Sequence, residues 1–194
     1  VPNICNYIEK YREKITCREV KENKHSIYSL HRSRDKNIFE KKSKLVGVIT
    51  ADRIIVSIDK TLLYCTDGLY VFGLKDSRLE EVLEAILNSN TITYIYRLLS
   101  MEEGRVLAQV KPAIINNLPM PNFPGSREII DEIKQNVGNM KNMLRKRNDT
   151  HSESDKKIYA DMIGRAIGMI DSCVYKLYGL TDDEIKIIEE STTP

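Results

Sequence analysis

Val174-Tyr175-Lys176-Leu177-Tyr178-Gly179-Leu180-Thr181-Asp182-Asp183-Glu184-Ile185 ends one helix and opens another. Gly179 can take the left-handed conformation that closes a helix, and Thr181 with Glu184 three residues on forms a capping box for the next. Leu180 and Ile185 flank that cap at hydrophobic-staple positions, which predicts a sharp corner. Upstream, Ile163, Ile167, Ile170, Val174 and Leu177 alternate spacings of three and four, as do Ile130, Ile133, Val137, Met140 and Leu144. These two coiled-coil-like seams, joined by the wholly polar residues 147–155, predict an antiparallel helical hairpin.

Working towards the N-terminus, Pro119, Pro121, Pro124 and Gly125 make a stiff linker that cannot continue a helix or a central strand. Leu79, Val82, Leu83, Ile86 and Leu87 mark a helix stopping at Asn88-Ser89-Asn90, and Tyr94, Ile95, Leu98 and Leu99 mark a shorter one. Residues 26–30, 44–50, 53–58, 62–74 and 105–110 read as strands, being rich in Val, Ile, Leu, Tyr and Thr between turn-prone Ala51-Asp52, Asp59-Lys60 and Asp67-Gly68. Ile4, Tyr7, Ile8, Tyr11 and Ile15 predict an amphipathic helix at the start. The expected fold is α+β: a mixed or antiparallel sheet with helices in 1–118, the Pro-rich linker in 119–126, and the hairpin with a short terminal helix in 127–190.

With 194 residues, 41% of them hydrophobic, the chain can bury a core. No apolar run approaches the roughly 20 residues that span a bilayer, and no signal-peptide pattern opens the chain, so a cytoplasmic location without membrane partners is expected. Cys5, Cys17, Cys65 and Cys173 are widely spaced and form no ligand pattern with His25, His31 and His151, which points to reduced structural thiols and no metal. Net charge is only +2, but its distribution is uneven. Arg32, Arg34, Lys36, Lys41, Lys42 and Lys44 face only Asp35 and Glu40 in their stretch, whereas Asp182, Asp183, Glu184, Glu189 and Glu190 gather at the C-terminal end. Such asymmetry fits a basic face for phosphates, and equally a solvated loop followed by an acidic helix start.

The wording of the C-terminal corner resembles the tails of type IIG restriction-modification enzymes, in which an adenine DNA methyltransferase is fused to its own target-recognition domain. Leu118-Pro119-Met120-Pro121 is similar to the Leu-Pro-Ile-Pro phrase that ends such readers. Ala85-Ile86-Leu87-Asn88-Ser89 resembles their Leu-Leu-Asn-Ser phrase, and Lys44-Leu45-Val46 their Pro-Lys-Ile-Val strand, with Ser43 where proline is usual. In this order the landmarks resemble the Taq-type C-terminal specificity domain. The resemblance implies sequence-specific binding of double-stranded DNA and a methyltransferase domain of the same parent chain as partner. The Asn-Pro-Pro-Tyr or Asp-Pro-Pro-Tyr phrase and a Gly-rich turn for S-adenosylmethionine are absent from these residues, so this chain is expected to be non-catalytic and free of cofactor, the methyl donor binding elsewhere in the parent. Val1 in place of an initiator methionine fits a fragment of a larger enzyme, or tag removal.

For reading bases, Arg32 and Arg34 supply guanidiniums suited to guanine, while Lys36, Lys41 and Lys42 suit phosphates. Arg53, Arg97, Arg105 and Lys111 are further candidates, and Tyr64, Thr66 and Asp67 lie near a turn where short polar side chains can meet bases. Two alternatives belong to other classes: a self-contained metal-dependent nuclease, and a helical protein-interaction module without DNA binding. Asp35 with Glu40 and Lys42 fits a nuclease pattern, but so do Asp131 with Glu132 and Lys134, and Asp183 with Glu184 and Lys186, on predicted helices, so the pattern does not discriminate. Ser29, His31 and Asp35 are neighbours in one stretch and do not converge as a triad would.

Overall fold

The computed structural model describes residues 2–29, 34–74, 76–101, 104–123 and 125–192. It divides into two units, Val1–Lys36 and Asn37–Pro194. In the first, three short helices follow one another: α1 (Pro2–Glu9), α2 (Arg12–Ile15) and α3 (Arg18–Lys21). The single helix expected through Ile15 is broken at residues 10–11. Ile4, Tyr7, Tyr11 and Ile15 are all exposed, and without a buried face a short helix has little to sustain it. Residues 26–29 form a turn rather than a strand, because the Ser26 hydroxyl and carbonyl accept the amides of Tyr28 and Ser29. Leu30, at the end of that expected strand, lies outside the described residues.

The second unit begins around a single helical turn, α4 (Lys36–Phe39), and builds an antiparallel sheet of β1 (Lys44–Val48), β2 (Val56–Asp59) and β3 (Leu69–Gly73) in the order β2-β1-β3. Lys44 pairs with Asp59 on one side and Gly73 on the other, and Gly47 pairs with Val56 and Tyr70. A Cβ at Gly47 would stand 2.3 Å from the Tyr70 ring, so glycine is what lets this buried tyrosine cross the central strand. The strand expected over 62–74 is cut to its second half. Asp59 captures the amides of Thr61 and Leu63 at 2.8 and 3.1 Å, and Leu62 turns into the left-handed region at φ 57°. The expected strand over 105–110 reduces to one antiparallel bridge between Gln109 and Thr50, because among the described residues no strand pairs with Val106 and Leu107, which stay exposed.

Helices α5 (Glu80–Asn88) and α6 (Asn90–Ser100) follow a 3-10 turn at Ser77–Leu79, and α7 (Pro112–Ile115) is a single turn. The long helices α8 (Arg127–Asp149) and α9 (Glu153–Tyr178) reverse through three residues and pack along each other as the expected antiparallel hairpin. They run further into residues 147–155 than expected, since Ser152 caps α9 on the Asp155 amide and Lys156 pairs with Glu153. The final helix is α10 (Asp182–Thr192).

The hairpin shares one core with the sheet. Ile133, Val137, Ile170, Val174 and Leu177 lie in the same apolar cluster as Leu45, Ile86, Ile92 and Tyr96. The Pro-rich stretch 119–126 therefore joins two parts of one packed body rather than two separate cores.

The sequence phrases turn out to be joints of that body. Asn88 bonds both the amide and the carbonyl of Val56, at 3.1 and 2.9 Å, covering the outer edge of β2. Ser89 caps α6, and Asp171 of α9 accepts the Asn90 amide at 2.9 Å. The Tyr178 hydroxyl donates to the Pro119 carbonyl at 2.8 Å. At the corner, Gly179 has φ 68°, the Gly179 and Leu180 amides bond the carbonyls of Lys176 and Tyr175, and the Glu184 carboxylate accepts both the amide and the hydroxyl of Thr181.

Asp171 yields a test of this joint. Burial raises its pKa above the ordinary carboxylate value, against the lowering effect of the Asn90 amide. The folded chain thus holds the proton more tightly than the unfolded one, and the charge costs stability as pH rises past the ordinary Asp range. Asp171→Asn keeps an acceptor for the Asn90 amide and removes that charge. Thermal melts should give the variant a Tm at pH 7 equal to or above the unsubstituted chain's, the gap closing in acid. A fall of several degrees at pH 7 would instead assign the joint's strength to the carboxylate's charge on the α6 N-terminus.

Candidate nucleic-acid interface

A fully buried lysine underlies the candidate surface. Lys44 on the central strand is 0% exposed, and its Nζ lies 2.5 Å from the Asp59 carboxylate on β2. Asp59 also accepts the Thr61 hydroxyl at 2.6 Å in addition to the two loop amides. Burial alone would raise the Asp59 pKa, but the Lys44 ammonium, the Thr61 hydroxyl and the amides of Thr61 and Leu63 together hold it well below its ordinary value. Those bonds fix the start of the loop spanning residues 60–68.

The rest of that loop is tied down at two further points. Lys60 forms an ion pair with Glu80, and the Tyr64 ring stacks on Phe39 with centroids 5.0 Å apart, its hydroxyl donating to Glu40 at 3.2 Å. Between these anchors Leu62 and Leu63 are exposed. Thr66 is exposed, and its carbonyl accepts the Leu69 amide in the Asp67-Gly68 turn that leads into β3.

Beside the loop, Lys41, Lys42, Ser43, Lys60, Leu74, Ser77 and Glu80 line a shallow open cleft. Three ammonium groups there stand against one carboxylate. Burial opposes the charge on Glu80, but the Lys60 ammonium and the Ser43 hydroxyl hold its pKa below the ordinary value. Lys41 donates to the Leu74 carbonyl at 3.3 Å. The fold thus brings Lys41 and Lys42 together and adds Lys60, which the sequence marked only as part of a turn. A second shallow cleft gathers Arg105 and Lys111 with Ile49, Leu107, Gln109 and Pro112. Lys111 also bonds the Ser100 carbonyl through Nζ, and its amide donates to the buried Tyr96 hydroxyl at 2.8 Å.

Within the second unit, Arg53 and Arg97 line neither cleft. Arg53 is exposed in the turn before β2. Arg97 is largely covered: its guanidinium pairs with Asp52 at 2.6 Å and donates to the Ser191 carbonyl of α10 at 3.1 Å, bracing α6 against the last helix. Arg34 and Lys36 are exposed residues of the first unit, and Arg32, with His31 and Ser33, lies outside the described residues. Among the described residues, no three His, Cys, Asp or Glu side chains gather as metal ligands, and no helix is long and apolar enough to cross a membrane.

The small antiparallel sheet carries a braced loop flanked by lysines, and Asp171 and Tyr178 tie the sheet-bearing part to the helical hairpin. The family model described as the TaqI-like C-terminal specificity domain matches residues 4–120, and the chain belongs to that family. The match spans most of the first unit, the sheet, α5, α6 and the Leu118-Pro119 junction, and stops before the hairpin. No curated protein matches the chain.

Proposed function

We propose that this chain is the part of an adenine DNA methyltransferase, of the type IIG restriction-modification kind, that reads the target sequence in double-stranded DNA. Family membership over residues 4–120 carries this reading. The cationic cleft of Lys41, Lys42 and Lys60 supports it, because phosphate contacts position a reader and supply most of its affinity. In this reading Arg32 and Arg34 address guanine edges, Lys36, Lys41 and Lys42 address phosphates, and Tyr64 and Thr66 offer polar groups from the loop spanning residues 60–68. Arg53, Arg105 and Lys111 extend the contact, while Arg97 acts as a brace.

The hairpin in turn holds the reader against the parent's methyltransferase domain, which binds S-adenosylmethionine and carries out methyl transfer. Its outer length supports that role, since Ile158 and Met162 are exposed one turn apart on α9.

The test is fluorescence anisotropy of the purified chain with a labelled duplex over a salt series. Binding is expected to be weak and to fall steeply with salt, as counterions are released from a few phosphate contacts. Absence of binding at low salt would overturn the reading.

A further inference from the structure

The Lys44–Asp59 pair is an expensive way to fill the middle of a sheet. Desolvating two charges offsets most of their attraction, and well-packed apolar residues would serve stability as well or better. What the pair does that apolar residues cannot is hold a loop. Asp59 spends its remaining acceptor capacity on the Thr61 hydroxyl and on the amides of Thr61 and Leu63. Those bonds keep Leu62 in a left-handed conformation that a branched side chain rarely adopts, with Leu62 and Leu63 turned out to solvent. A strained backbone displaying two leucines contributes nothing to the core, and it stands next to three lysines.

We propose that Lys44 and Asp59 are positioning residues for target recognition: the buried pair pre-shapes residues 60–64 as a rigid finger that meets base edges while Lys41, Lys42 and Lys60 meet the phosphates. This rests on the DNA-reading function proposed above. The chemistry suits apolar contact with thymine methyl groups, which a fixed leucine pair can make at little further entropic cost. The pair acts through the loop and touches no base itself.

Two variants of the full chain test it, with a duplex selected by the unsubstituted chain from a randomised pool and a scrambled duplex as control. Lys44→Met with Asp59→Leu removes both charges together, and Leu62→Gly relaxes the strained residue on the surface without touching the core. Each should lower the ratio of selected to scrambled affinity about tenfold, the scale of one base contact. Affinity for the scrambled duplex should stay within about twofold, because phosphate contacts are intact. Hydrogen exchange at the Thr61 and Leu63 amides should accelerate in the double variant, with Tm held. Unchanged discrimination in Leu62→Gly, or in a folded double variant whose loop amides exchange faster, overturns the positioning role and leaves the DNA-reading function standing. If the unsubstituted chain selects no sequence, both fall.

Discussion

Ile133→Ala is expected to destabilise the sheet and the hairpin together, by ~2–5 kcal/mol, the usual range for an isoleucine truncated at a packed position. Ile133 is on α8, yet it is fully buried in the cluster that contains Leu45 of β1 and Tyr96 of α6. A cavity there strips contacts from both sides of the joint. Amide exchange should therefore show one cooperative opening, with β1 and α9 amides losing protection by the same factor. Loosening confined to α8 and α9 would make the hairpin an independent domain, contrary to the shared core.

The second large effect separates the two kinds of DNA contact. Lys41→Ala and Lys42→Ala should each weaken binding to all duplexes alike and make the slope of log affinity against log salt shallower by about one. Arg34→Ala in the first unit should instead cost ~1–3 kcal/mol against the preferred duplex and relax the choice at one base position, because a bidentate guanine contact is lost. Anisotropy with matched and single-mismatch duplexes over a salt series distinguishes the two. Equal losses on every duplex for Arg34→Ala would remove Arg34 from base reading and leave that role to the loop spanning residues 60–68.

Much of the fold was legible because its signals are local. Gly179, Thr181 and Glu184 each have a mechanical reason to sit where they do, and all make the bonds their spacing implies. The two apolar seams are long enough for the helical period to stand out, and α8 and α9 follow them. What failed depended on partners distant in sequence. Strand propensity over 62–68 is overridden by Asp59, which lies opposite Lys44 in the sheet and captures the Thr61 and Leu63 amides. Val106 and Leu107 have strand-forming side chains but, among the described residues, no strand to pair with. The same limit applies to the site. Lys41 and Lys42 could be picked out as neighbours in a basic run, whereas Lys60 reaches them only through the pairing of β2 with β1. Arg97 looked like any other arginine until Asp52 and the Ser191 carbonyl closed on it.

The Leu-Asn-Ser and Leu-Pro-Met-Pro phrases carried the family resemblance, and the structure gives their physical content. Asn88 seals the edge of β2, Ser89 caps α6 beside Asp171, and Pro119 receives the Tyr178 hydroxyl. The bonds of Asp171 and Tyr178 hold the sheet-bearing part to the hairpin, and the surface near the loop is left to lysines and leucines. The phrases that carried the resemblance thus belong to the scaffold.

Whether this chain reads DNA sequence is tested most directly by incubating it at low salt with a pool of randomised duplexes and sequencing the bound fraction. Enrichment of one short motif, lost on raising the salt, is the expected result. Recovery of a bound pool with the composition of the input would contradict the account, leaving at most a non-specific polyelectrolyte contact.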